Sequence, residues 1–261
     1  MSVEESSRGT SSKDRAEAMA EAFAQHFPPA IVSDPTVLAD ADLELVFRAA
    51  NVASFYTLSD DHLSVMQTAF DVLGKRGLVV RRIFTDMYGA TIAARRFENA
   101  RELARAYEQW IVEPAPELDG EPDGAVTALE IKEAGVLNRL SLGVQNGARI
   151  VVISHPLCHF SRRAVEAIES DIELSKALEG AVWMTPVDRS LHLDVLKDWN
   201  TKHPDRKMVI AYSWKAWPQL KSWATPTFYF LKDNKVIDVV EGWPEEGRKS
   251  GILRGAKMIG R

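Results

Sequence analysis

The sequence predicts an α/β protein in two parts, an all-α N-terminal domain followed by a domain built on a central mixed sheet. Three observations predict it. Apolar residues recur at helical three-to-four spacing before residue 112 and in short β-branched runs after residue 125. Between the two regimes, residues 113–124 (Glu-Pro-Ala-Pro-Glu-Leu-Asp-Gly-Glu-Pro-Asp-Gly) hold three prolines and two glycines, which sustain neither a helix nor a central strand. The length of 261 residues exceeds the roughly 100 to 200 typical of one domain. The expected organisation is a helical domain over 1–112, an acidic Pro/Gly linker over 113–124 and the sheet domain over 125–261.

Charge follows the same division. Residues 1–112 carry 12 basic and 16 acidic side chains, the linker carries five acidic and none basic, and 125–261 carries 20 basic and 16 acidic. A net charge of −5 leaves no electrostatic footprint for sequence-independent nucleic-acid binding, so no nucleic-acid partner is expected. With 46% hydrophobic and 26% charged residues the composition is globular rather than disordered. No run of about 18 apolar residues occurs, so no membrane span is expected. Met1 to Lys13 is a Ser-rich polar run without a signal-peptide apolar stretch. As it stands the chain is expected in the cytoplasm, or outside it if an export signal has been removed.

The helical part opens with two matched segments. Leu43, Val46, Phe47, Ala50 and Phe55 define one apolar stripe, and Leu63, Met66, Phe70 and Leu73 the next. Thr57 to Asp61 separates them, with Ser59 or Asp60 as N-cap, while Gly74 and Gly77 would end the second helix. A further pair is expected over Val79 to Ala94 and Phe97 to Trp110, with Phe97, Ala100, Ala104 and Tyr107 on one face. The text Tyr88-Gly-Ala to Arg96-Phe97-Glu-Asn-Ala100 resembles one degenerate tetratricopeptide-type hairpin. Two readings stand, a repeat of that kind with a protein partner for the helical domain, and an all-α cap packed on its neighbour.

The sheet part reads as strands at Val126 to Ile131 and Val136 to Leu142, then a continuously apolar central strand from Arg149 to Ser154. A helix over Arg162 to Ile172, a strand over Ala181 to Met184, a helix over Ser190 to Lys202 and a strand over Met208 to Ala211 follow. Thr227 to Leu231 and Lys235 to Val240 flank the hairpin signal Asp233-Asn234, and a helix over Glu245 to Ile259 closes the chain.

Chemistry concentrates where the central strand meets its helix, Ser154-His-Pro-Leu-Cys158-His-Phe-Ser161-Arg-Arg. Cys158 is the one cysteine, so any disulfide must involve a second molecule. At a helix start it meets unpaired N–H groups and the positive end of the dipole, which favour thiolate. His159, Arg162 and Arg163 would add positive charge, and Ser161 would donate a hydrogen bond to the sulfur. The competing reading is a small buried hydrophobe. A zinc site using His155, Cys158 and His159 lacks a further ligand nearby in sequence, so no metal is expected.

A second motif, Thr225-Pro226-Thr-Phe-Tyr-Phe-Leu to Val-Val-Glu-Gly242-Trp, together with Cys158 at a strand-to-helix junction, resembles the C-terminal half of a thioredoxin domain. The resemblance implies a thioredoxin-like fold over about 125–261, with Pro226 as a cis-proline opening a strand. It further implies that Thr225 and Pro226 lie against Cys158 and pair with a bound peptide, with Leu157 at the rim. The 68-residue separation of Cys158 and Pro226 and the two preceding strands resemble the enlarged TlpA-type branch. A proline that simply starts an edge strand is the alternative for Pro226.

Three positions depart from that family. Cys158-His159-Phe160-Ser161 has a hydroxyl where the resolving thiol stands, Leu157 replaces the preceding tryptophan, and Val152 replaces the carboxylate that deprotonates the resolving thiol. Cys-His-Phe-Ser also resembles the Cys-Gly-Phe-Ser of monothiol glutaredoxins, but His159 replaces the glycine and the cysteine-to-proline spacing is longer. A one-Cys peroxidase would need proline at 151 and a hydroxyl at 155, where Val151 and His155 stand. The expected function is therefore a single-cysteine thiol–disulfide oxidoreductase with Cys158, Ser161 and His159 at the catalytic centre and Thr225, Pro226 and Leu157 binding substrate. It needs no resident cofactor, only an external thiol such as glutathione, and its partner is a thiol- or disulfide-bearing protein or peptide. The alternative is a non-catalytic peptide-binding module. Trp214, Trp217, Trp223 and Trp243 are read as core and loop packing, or as an aromatic rim for a partner.

Overall fold

The computed structural model describes residues 11–110, 113–133, 135–142 and 146–261. The chain divides into two compact units, Met1–Pro116 with Asp188–Leu191, and Glu117–Val187 with His192–Arg261.

The first unit is helical: α1 (Ser12–His26), α2 (Pro29–Val32), α3 (Asp40–Thr57), α4 (Asp60–Lys75), α5 (Arg81–Ala93) and α6 (Phe97–Ala106). The stripes expected at 43–56 and 62–73 form α3 and α4, whose Leu43, Val46, Phe47, Met66, Phe70 and Leu73 share one core. Ser59 caps α4 by accepting from Asp61 N, and α4 runs through Gly74 before Gly77 turns the chain at φ +70°. Helix α1 was not expected. Its signal is a capping box, in which Ser11 and Asp14 exchange side-chain and backbone hydrogen bonds ahead of buried Ala16, Met19 and Phe23. The rest of the polar run before Ser11 lies outside the described residues.

The second unit holds an eight-stranded sheet in the order β1-β3-β2-β6-β5-β4-β7-β8. Its strands are β1 (Glu117–Asp119), β2 (Ala128–Glu133), β3 (Val136–Leu140), β4 (Ala148–Ile153), β5 (Val182–Thr185), β6 (Met208–Ala211), β7 (Thr227–Lys232) and β8 (Lys235–Glu241). Its helices are α7 (His159–Ser170), α8 (Ile172–Ala177), α9 (Leu193–Lys202) and α10 (Lys249–Met258). Strand β4 pairs parallel with β5 and antiparallel with β7, so it is covered on both edges, and five of its six residues are buried. Asp233 and Asn234 both take positive φ in the β7–β8 turn, as a tight hairpin requires. Among the described residues no helix is long and apolar enough to cross a membrane.

Two boundaries differ from expectation. The acidic stretch is not a bare tether. Glu117–Asp119 become β1 because the exposed edge of β3 offers them a parallel partner, and Glu113 accepts from Ser190 Oγ at 2.7 Å and Leu191 N at 3.0 Å. The last helix starts at Lys249 rather than near Glu245, since Gly247 at φ +74° closes a turn onto the Pro244 carbonyl.

Helix α10 is held to the sheet at Gly255, where an added Cβ would overlap the ring of buried Phe230. Gly255→Ala gains about 1 kcal/mol of helix propensity, against roughly 1–3 kcal/mol for overpacking. A net loss of stability is expected, read as a lower urea midpoint with an unchanged slope.

Candidate active site

Strand β4 ends at Ile153, and buried Ser154 continues the ladder by donating from N to the Met184 carbonyl at 2.9 Å. The chain then turns through His155-Pro-Leu, with Cys158 N donating to the His155 carbonyl at 2.9 Å. Cys158 is the N-cap of α7 in extended conformation, so it precedes the helix rather than lying in its first turn. A residue there aims its side chain at the free N–H groups of N2 and N3, here Phe160 and Ser161.

Cys158 is half-buried, and its sulfur donates to the Thr225 carbonyl at 3.3 Å. Burial pushes the thiol up, but hydrogen bonds from the Thr225 side chain, from the Ser161 N–H and hydroxyl and from the Phe160 N–H outweigh it. The thiol is held below its ordinary value. No capping hydrogen bond of ordinary geometry reaches the neutral thiol, so the two N–H groups act on the sulfur chiefly as it becomes charged. Thr225 works in both directions, since its carbonyl favours the thiol and its hydroxyl the thiolate.

Thr225 is held by its neighbours. The Thr225–Pro226 peptide is cis and Pro226 is buried. Thr227 Oγ1 donates to Ala224 O at 2.7 Å, and Gly242 N donates to Pro226 O at 2.8 Å. Tyr229 closes the preceding loop, its hydroxyl donating to Ser222 O and accepting from Ser222 N, both at 2.7 Å. Burial pushes Tyr229 up to about 12, so it stays a neutral donor.

A parallel neighbour on one side of β4, an antiparallel one on the other, a cysteine at the helix start and a cis-proline opening β7 now stand together. The second unit has a thioredoxin-like fold. No family model and no curated protein matches the chain. A solved structure similar to it, titled a thioredoxin-like protein from Bacteroides caccae, is 14% identical over 94% of this chain and 95% of that one, with a TM-score of 0.31.

The other anticipated residues of the thioredoxin-like unit are distributed unequally. Ser161 is wholly buried and accepts from His155 N at 3.4 Å. His159 is exposed, edge-on to Phe160 at 5.6 Å, and Arg162 turns back to the Pro156 carbonyl at 3.4 Å. The groups acting most on the sulfur are neutral donors, with no cation among them. His159, Arg162 and Arg163, expected to activate it, are not among those groups: His159 is exposed and Arg162 reaches back to a backbone carbonyl, while the Ser161 and Phe160 N–H groups favour the charged sulfur. Leu157 and Phe160, one residue before and two after Cys158 in the chain, are each 51% exposed. Trp217 and Trp243 are buried, the first donating to Thr127 O at 3.1 Å and the second 5.9 Å from Phe228, so these two are core. Trp214 and Trp223 are half-buried. Val152 is fully buried between its register partners Trp183 and Phe228. Among the described residues no three His, Cys, Asp or Glu side chains gather as a metal site would require.

Sequence reasoning weighed His155 only as a zinc ligand or a satisfied loop histidine, not as a brace of the turn, and it missed His192. The His155 ring accepts from Leu157 N at 3.1 Å, and the His192 ring lies edge-on to it at 5.5 Å. An acceptor two residues before the N–H it receives was a readable signal for His155; nothing local marked His192.

Proposed function

We propose that the thioredoxin-like unit is a single-cysteine thiol–disulfide oxidoreductase. The Cys158 thiolate attacks one sulfur of a substrate disulfide, the S–S bond breaks, and its second sulfur leaves as a thiolate. An external thiolate of the glutathione class then attacks the substrate sulfur of the mixed disulfide and releases Cys158 as thiolate. The substrate disulfide is thereby exchanged for one containing the external thiol, with no net proton uptake and no internal oxidant. An enlarged domain of the TlpA type is part of the same reading. The observation that carries it is Cys158 at the N-cap of α7, with its sulfur 3.3 Å from the Thr225 carbonyl beside cis-Pro226.

A second reading, a peptide-binding module without turnover, is favoured by exposed Leu157 and Phe160, close to Cys158 in the chain, and by the lack of a resolving thiol. The test separates them. Glutathione disulfide is expected to leave one glutathione on Cys158, seen by mass spectrometry and removed by added glutathione. No adduct, or turnover supported by thioredoxin reductase alone, overturns the single-cysteine reading.

A further inference from the structure

His155 commits three atoms to the loop that carries Cys158. Its carbonyl accepts from Cys158 N at 2.9 Å, its N–H donates to Ser161 Oγ at 3.4 Å, and its ring Nδ1 accepts from Leu157 N at 3.1 Å. A ring nitrogen that receives an N–H carries no proton, which assigns the hydrogen of the neutral imidazole to Nε2. The contact to an N–H two residues ahead is the bond an Asn or Asp makes in an Asx-turn, here supplied by imidazole.

The consequence reaches the sulfur through Ser161. Its hydroxyl accepts from the His155 N–H, and its N–H and hydroxyl are among the donors that favour the Cys158 thiolate. The ring is braced from outside the loop by His192, edge-on at 5.5 Å from a backbone at φ +52°, a conformation uncommon for a residue other than glycine.

We propose that His155 is the positioning residue of the site: its ring fixes the turn at Leu157, and the turn holds Cys158 and Ser161 in the arrangement that supports a thiolate. This rests on Cys158 being the nucleophile of the preceding reading.

The test follows the pH dependence of Cys158 alkylation in the full chain, wild type against His155→Asn, His155→Gln and His155→Ala. Asn places an amide oxygen where Nδ1 accepts; Gln carries the same amide one carbon too far for that turn. The expected result is a wild-type midpoint retained in His155→Asn. In the Gln and Ala variants it rises by about one unit, a roughly tenfold loss of rate below the midpoint. A merely structural role would not divide Asn from Gln, so a Gln variant with the wild-type midpoint overturns the proposal, as does an Asn variant that shifts with Ala. If His155→Ala fails to fold, the Asn and Gln pair still decides. A wild-type midpoint at or above the ordinary thiol value overturns the nucleophile reading and the inference with it. A lowered wild-type midpoint unmoved by Gln overturns the inference alone.

Discussion

Replacing Cys158 with alanine is expected to abolish exchange between a peptide disulfide and glutathione, by about 10³-fold or more, because no second thiol exists to take over the attack. The rest of the site should survive. Thr225 is held by Tyr229, Thr227 and Gly242 rather than by the sulfur, so removing Sγ leaves its carbonyl and Pro226 in place. Calorimetric titration with a reduced peptide should therefore give similar affinity for wild type and Cys158→Ala, while turnover in a coupled glutathione assay disappears. Equal turnover by both proteins would remove Cys158 from the chemistry. The pH dependence has a fixed sign. Because the folded thiol is held below its ordinary value, the exchange rate should rise with pH and level off at a lower pH than for an ordinary cysteine. Any stability linked to that shift is present above the unfolded thiol value and is lost as pH falls through the folded one.

The parts of this fold legible in the sequence are those in which one face of an element is buried. The stripe Leu43, Val46, Phe47, Ala50 and the run Arg149 to Ile153 announce α3 and β4 because burial sets the period, and Asp233-Asn234 announces its turn because both residues need positive φ. Strand β1 was not legible. It is three residues long with only Leu118 turned inward, and it exists because β3 offers an unpaired edge, which is a tertiary fact. The site divides in the same way. Cys158, Ser161 and Thr225 could be placed because a helix start and a proline have local signatures. The groups that lower the thiol could not be ranked, since that depends on where His159 and Arg162 reach, and His159 is exposed while Arg162 reaches back to a backbone carbonyl. The contribution of His192 comes from the loop before α9, 34 residues beyond Cys158, and no local pattern connects the two.

Ser161→Cys is expected to form a disulfide with Cys158 under mild oxidant, since N-cap and N3 side chains share one turn and Ser161 is among the donors that lower the Cys158 thiol. Adding Val152→Asp supplies the carboxylate such a thiol lacks, at a large cost. Val152 is fully buried in the central strand. An unpaired carboxyl there costs several kcal/mol, against a total stability of about 5–15 kcal/mol. Burial raises the value of that carboxyl, so the folded state keeps its proton to higher pH than the unfolded chain, and the destabilisation grows as pH rises above the ordinary carboxylate range. Urea unfolding of Ser161→Cys with and without Val152→Asp should therefore give midpoints that lie closer at pH 4 than at pH 8. The same carboxyl, protonated near neutrality, acts as a base only as it ionises, so dithiol turnover in the double variant should increase with pH while its stability falls. A double variant as stable as its parent at pH 8 would mean that position 152 reaches solvent and that β4 is not the covered strand on which the site is built.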